Sequence, residues 1–352
     1  MKYSLIFSLI FSTQVFSQDN DHSFLDAPYN HLIHPKISQF TNKAVTKNDI
    51  ELAMSFQTPV RSQESRGTCS IFSATAFLES TLVYNESFDA EVDLSEEWLQ
   101  YISVRGKSTD GSSAPSNFEA MKKHGMLTEE RLPYIGIDWT KNDSELKNNR
   151  CSHLTGITQT SCFITHFDPT LLTKKESLIE DKEFVSLRTE ALEFKKEYLN
   201  IPNSFYYLTS TNEIKDRLIA GKAVVLEVDF FYGAWNHRGG EALGIERNMD
   251  HWNKGIISHP EIGSLDYEKS PTKPAGHSVL VIGFDDNIVV KKKIQMSNGT
   301  TKTFTYKGVY YIKNSWGTEG FGRDFQIDGV NYPGYGMIVQ KHANEDGSFF
   351  AF

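Results

Sequence analysis

Residues 58–73 read TPVRSQESRGTCSIFS, and the reading of Cys69 within them decides the fold. The cysteine stands between a glycine turn and an apolar run, with Gln63 six residues upstream. From Cys69 onward, Ile71, Phe72, Phe77, Leu78, Leu82 and Val83 recur at three- and four-residue steps, which predicts a helix with one buried face. Gly67 and Thr68 supply a turn and a capping hydroxyl, so Cys69 falls at the helix N-terminus. There the free N–H groups and the helix dipole favour a thiolate. A packed thiol, a metal ligand, half of a disulfide and a nucleophile all remain open at this point. The metal reading is the weakest, because no Cys or His lies at ligand spacing from Cys69.

The chain has 352 residues and three cysteines, Cys69, Cys151 and Cys162. Its first residues resemble a removable leader: Lys2, then an interrupted apolar stretch from Leu5 to Phe16, then Val15-Phe16-Ser17 with small outer residues. This predicts a signal peptide over 1–17 and an exported protein. The stretch is short of the roughly 20 apolar residues that span a bilayer. An exported chain meets oxidising conditions, so Cys151 and Cys162, close together in loop-like sequence, are expected to pair. Cys69 is then the odd thiol, which suggests a task for it. Net charge is −9, from 36 basic and 45 acidic residues that are interspersed, which excludes a nucleic-acid footprint. Lys291-Lys292-Lys293 reads as the solvated end of a strand.

Residues 18–50 are polar and irregular, a short extension or pro-segment before a domain at 51–352. LSEEWLQYI predicts a helix opened by Ser95, and another covers 116–124 and stops at Gly125. Parts of 174–197 also look helical. The texture then changes: AVVLEVDFF (223–231), HSVLVIGFDD (277–286) and GVYYIKNSWG (308–317) are strand-like. Helices first and strands second predict an α+β protein of two lobes, helical over about 60–200 and β-rich over about 201–345. Residues 235–274 read as a surface excursion. Its Trp235, Trp252, His237, His251 and His259 fit an aromatic loop shaping a rim better than a metal site.

Two further residues gain meaning beside Cys69. His277 opens an apolar strand after Ala275-Gly276 and can face a cleft. Asn314 ends another, where its amide can accept an imidazole N–H, and Trp316 can cover that bond. Gln63 and the Cys69 amide can donate to a developing oxyanion. In the order Gln, Cys, His, Asn, these residues resemble the papain-like cysteine peptidases. TPVRSQ, GTC, LSEEWL, AGHSVLVIGF and YIKNSWGTEGFG carry the likeness across residues 56–338.

The resemblance implies a helical N-terminal lobe and a β-barrel-like C-terminal lobe with the cleft between them. It implies a Cys69–His277 thiolate–imidazolium pair oriented by Asn314, an oxyanion donor in Gln63, and substrate contacts at Gly111, Ser112 and Trp316. It implies peptide or protein substrates, no cofactor and no metal, and the soluble chain is expected to be a monomer free of membrane and nucleic acid. Three features depart from the family pattern. Arg66 stands where a disulfide half-cystine is usual, and Ser70 where an aromatic is usual. His277 and Asn314 also lie farther from the nucleophile than the roughly 130–150 residues of papain itself, which implies insertions at 136–200, 235–274 and 286–306. These departures point to a divergent bacterial branch. The same geometry serves non-peptidase acyl transfer (an amidase or transpeptidase), and the fold could also serve as a non-catalytic binding protein.

Overall fold

The computed structural model describes residues 45–140, 142–203 and 206–352. The expected signal peptide and residues 18–44 of the extension lie outside the described residues. The helical half holds α1 (Ile50–Ser55), α2 (Cys69–Tyr84), α3 (Glu96–Val104), α4 (Ala114–His124), α5 (Glu145–Cys151), α6 (Gly156–Thr165) and α7 (Lys182–Tyr198). Strands β1 (Tyr206–Leu208), β2 (Val224–Asp229), β3 (Ile256–Ile257), β4 (Gly276–Gln295), β5 (Thr301–Lys313), β8 (Tyr335–Val339) and β9 (Gly347–Ala351) form one sheet. β6 (Gln326–Ile327) and β7 (Val330–Asn331) form a small separate ribbon. Helices α8 (Thr211–Ile219), α9 (Met249–Asn253), α10 (Leu265–Lys269) and α11 (Gln340–Glu345) lie between these strands.

Helix α2 begins at Cys69, as the turn before it predicts, but it is not one-faced. It is buried nearly all round, because α3 and α4 pack on one side of it and β2 and β4 on another. Small residues such as Ser73, Ala74 and Ser80 let those neighbours come close. Thr68 occupies the cap position without capping: its hydroxyl pairs with the Tyr134 hydroxyl at 2.7 Å. Ser95 does cap α3, accepting from the Trp98 N–H at 3.0 Å. Helix α4 ends at Gly125, whose φ of 79° and ψ of −174° suit glycine alone. A Cβ there would also meet the Ala191 carbonyl of α7 at 1.8 Å. Helices α5 and α6 are joined by the Cys151–Cys162 disulfide, which packs with Trp139.

The sheet order is β1-β9-β2-β4-β5-β8-β3. Among the described residues it is open and forms no closed barrel, within the α+β architecture that helices first and strands second predict. A barrel closes only if its edges pair, and here the edges are a three-residue β1 and a two-residue β3 at opposite ends of the order. The reading of Lys291-Lys292-Lys293 as a solvated strand end is corrected by the 286–306 stretch. That stretch is the outer half of the β4–β5 hairpin, in antiparallel register from Val289↔Lys307 to Gln295↔Thr301. Lys292 therefore sits within a strand, buried, with its ammonium on the Asn236 side-chain oxygen. At the other end of the fold, Asn48 accepts the Phe284 N–H at 2.7 Å, so the chain before α1 is seated on β4.

Candidate active site

Three elements bring Cys69, His277 and Asn314 into one region. Cys69 is the first residue of α2, His277 the second of β4, and Asn314 follows the last residue of β5. The β4–β5 pairing of Leu280 with Lys313 holds the latter two side by side. His277 Nε2 lies 2.8 Å from Asn314 Oδ1. The Ser315 N–H also donates to Oδ1, at 2.9 Å, which fixes that atom as the oxygen. His277 therefore donates from Nε2, and its neutral ring carries the basic lone pair on Nδ1. Ser73 Oγ, one turn along α2 from Cys69, lies 2.6 Å from Ser278 Oγ, so β4 packs on α2 there. The residue next to His277 thus touches α2 one turn from Cys69.

All three residues are buried, Cys69 6 % exposed, His277 2 % and Asn314 3 %. Burial pushes the Cys69 thiol up to about 12; Glu227 adds to the rise and neighbouring backbone amides oppose it. Burial pulls His277 down to about 4 against the Asn314 bond, with His237 adding to the fall. Both shifts favour the neutral forms. Trp316 stacks on His277 at 4.6 Å between ring centroids, and Trp252 stacks on Trp316 at 5.7 Å. Trp235 meets His277 edge-on at 5.1 Å. The two tryptophans of 235–274 are thus core residues behind the histidine, and the excursion is not confined to the surface.

Gln63 is fully buried. Its Nε2 donates to the Arg66 carbonyl at 2.7 Å, and its Oε1 accepts from Ser315 Oγ at 2.7 Å. One amide hydrogen is therefore committed and one remains for another acceptor. Ser70 replaces ring packing with hydrogen bonding: its Oγ lies 2.8 Å from Ser112 Oγ and accepts the Ser112 N–H at 3.3 Å. That ties α2 to the partly exposed Gly111–Ser112 stretch.

Residues 46–181 match the family model described as papain family cysteine protease. Over that span, a little over a third of its length, the chain is similar to the papain-like cysteine peptidases. The matched span holds Gln63, Cys69, Gly111 and Ser112 and ends before His277 and Asn314. Among solved structures it is similar to xylellain, a cysteine protease from Xylella fastidiosa, at 15 % identity and a TM-score of 0.48, covering 90 % of this chain and 91 % of that one. It is similar to the digestive procathepsin L2 proteinase of the Tenebrio molitor larval midgut at 16 % identity and a TM-score of 0.45, covering 98 % and 82 %. The proform of the ragweed pollen allergen Amb a 11 aligns at 15 % identity and a TM-score of 0.44, covering 88 % and 66 %. Likenesses this loose carry no residue's role onto this chain. No curated protein sequence matches it.

Several polar contacts around this site went unread in the sequence. Glu227 accepts the Ala114 N–H at 2.6 Å and so holds the start of α4 near Cys69. Lys313 reaches Thr58, and Arg66 reaches Asp110. The available signal was a lone charge inside an apolar strand, Glu227 in VVLEVDFF and Lys313 in YYIKNSWG. Arg66, noted above only where a half-cystine is usual, gave no such signal of its partner, since its neighbours are polar.

Proposed function

We propose that this chain is a papain-like cysteine peptidase, exported after removal of residues 1–17, that hydrolyses peptide bonds through Cys69, His277 and Asn314. The observation that carries the reading is the 2.8 Å His277–Asn314 bond, set beside the 2.6 Å Ser73–Ser278 contact that seats β4 on the helix of Cys69. Export accords with the Cys151–Cys162 disulfide. Among the described residues no helix is long and apolar enough to cross a membrane.

Burial favours a neutral thiol and a neutral imidazole in the resting site, so the thiolate–imidazolium pair that the resemblance implies is formed there by proton transfer. His277 Nδ1 takes the thiol proton as sulfur attacks the scissile carbonyl. Asn314 holds the ring while it becomes imidazolium. The second amide hydrogen of Gln63 and the Cys69 N–H receive the oxyanion. His277 then gives its proton to the leaving amine, and a thioester remains. Water attacks the thioester, giving a proton back to His277; collapse releases the acid and restores the thiol. Gly111 and Ser112 pair with the extended substrate, and Trp316 walls the histidine side of the cleft.

The test is labelling of the reduced protein with a thiol-reactive peptidyl epoxide and mapping of the adduct by mass, beside Cys69→Ala and His277→Ala. Labelling at Cys69 should fall at least about tenfold in His277→Ala. If Cys69 labels equally fast with and without His277, the base assignment is wrong.

A further inference from the structure

Arg66 is 1 % exposed, and every guanidinium nitrogen has a partner. Nη2 donates to Asp110 Oδ1 at 2.8 Å and to the Ile164 carbonyl at 2.6 Å. Nε donates to Asp110 Oδ2 at 3.4 Å, so the carboxylate is held by two prongs. Nη1 donates to the Ile135 carbonyl at 3.1 Å and lies 3.6 Å from Glu97 Oε2. One side chain thus joins the nucleophile turn to α3, to the loop before Gly111, to residue 135 and to the last turn of α6. Asp110 is fixed from a second side, since Gln100 Nε2 donates to Oδ1 at 2.6 Å.

The main chain of the same residue points the other way. The Arg66 carbonyl accepts Gln63 Nε2 at 2.7 Å, and the Arg66 N–H donates to the Gln63 carbonyl at 3.2 Å. Between them Glu64 has a φ of 51°, a conformation that needs outside support. The Gln63 amide is therefore held between the Arg66 carbonyl and the Ser315 hydroxyl, and its remaining N–H has a fixed direction. The cysteines take no part in this: Cys151 and Cys162 pair in a separate cluster, and Cys69 is the free thiol.

We propose that the Arg66–Asp110 pair is a non-covalent, redox-indifferent staple that makes Arg66 a positioning residue for Gln63 as oxyanion donor. The assignment rests on the peptidase reading above. Its test exploits a difference between two reactions of one sulfur. Peptide hydrolysis builds an oxyanion, whereas alkylation by iodoacetamide displaces iodide and builds none.

The variants Arg66→Lys and Asp110→Asn are compared with wild type in turnover of a dipeptidyl aminomethylcoumarin library and in iodoacetamide alkylation of Cys69. Asp110→Asn keeps the shape of the site if Arg66→Lys does not fold. The expected result is a loss of about tenfold or more in kcat, with alkylation within about twofold of wild type. In a Gln63→Ala background, Arg66→Lys should then cost less than about twofold, because the two act as one unit. Parallel losses in hydrolysis and alkylation overturn the positioning role in favour of general damage to the turn. Unchanged kcat in both variants overturns it outright. A wild-type protein that alkylates at Cys69 yet hydrolyses no member of the library overturns the peptidase reading, and the role of Arg66 falls with it.

Discussion

Trp316 lies nearly flat on His277, with ring centroids 4.6 Å apart and 27° between the planes. The indole seals the His277–Asn314 bond from water, and a dry imidazole resists protonation. That is why His277 titrates down at about 4 and not at its ordinary 6.5. Trp316→Ala readmits water and should raise the imidazole toward 6.5. A neutral His277 is needed to take the thiol proton, so activity appears as pH rises through the His277 pKa. The acid limb of kcat/KM should therefore move to higher pH in the variant, measured with a fluorogenic peptide. An unmoved limb would mean that other groups, such as Trp235, keep the ring dry.

The same burial couples stability to pH. The unfolded chain binds a proton at His277 near pH 6.5, and the folded chain does so only near 4. The unfolded state therefore holds more protons between these values. Stability is complete above 6.5 and is lost as pH falls toward 4, by about 3 kcal/mol for this one residue. Urea unfolding at pH 7 and at pH 4.5 should show His277→Gln losing less stability than wild type, by about 2 to 3 kcal/mol. Equal losses would place the acid sensitivity in other groups.

The parts of this fold that could be read in advance are those encoded locally. The Gly67-Thr68 turn gave the start of α2, Ser95 gave the start of α3, and Gly125 gave the end of α4. Cys69, His277 and Asn314 stood out because each closes or opens an apolar run. What could not be read depends on partners far away in sequence. Arg66 and Asp110 are 44 residues apart, and nothing near either announces the other. The outer β4–β5 hairpin was hidden for a different reason. Val290, Lys292 and Ile294 face inward while Lys291 and Lys293 face water, so a buried lysine broke the alternation that marks a strand. Whether a sheet closes is set by its edge strands, here two and three residues long, which leave almost no pattern.

Ser70 offers a test of the substrate-side contact. Its hydroxyl holds Ser112 through both the side chain and the main-chain N–H. Ser70→Ala removes both bonds and frees the Gly111–Ser112 stretch, at a stability cost of about 1 kcal/mol. If that stretch binds the substrate backbone equally in the ground and transition states, KM rises several-fold and kcat holds. Steady-state kinetics on one peptide decides the matter. A fall in kcat at constant KM would assign Ser70 to the sulfur and not to the substrate strand.

Lys313 stands one residue before Asn314, and its ammonium crosses to the helical lobe. It donates to the Thr58 carbonyl at 2.7 Å and to Thr58 Oγ1 at 2.9 Å. Thr58 Oγ1 in turn donates to Glu79 Oε2 at 2.6 Å, and Glu79 lies on α2 with Cys69. This relay links the strand that carries Asn314 to the helix that carries the nucleophile. Both of its charged ends are buried, Lys313 5 % exposed and Glu79 2 %. Burial pushes the Glu79 carboxyl up and Lys313 opposes the rise, so removing the lysine strands an acid in the core. Lys313→Met should cost about 3–5 kcal/mol in urea unfolding. Lys313→Met with Glu79→Gln should recover much of that, since no lone charge is left behind. Peptidyl epoxide labelling of Cys69 should slow in the single variant as Asn314 and His277 lose their register with α2. If single and double variants are equally unstable, the charge pairing is not what holds the lobes, and the direct Lys313 contact with the Thr58 carbonyl is.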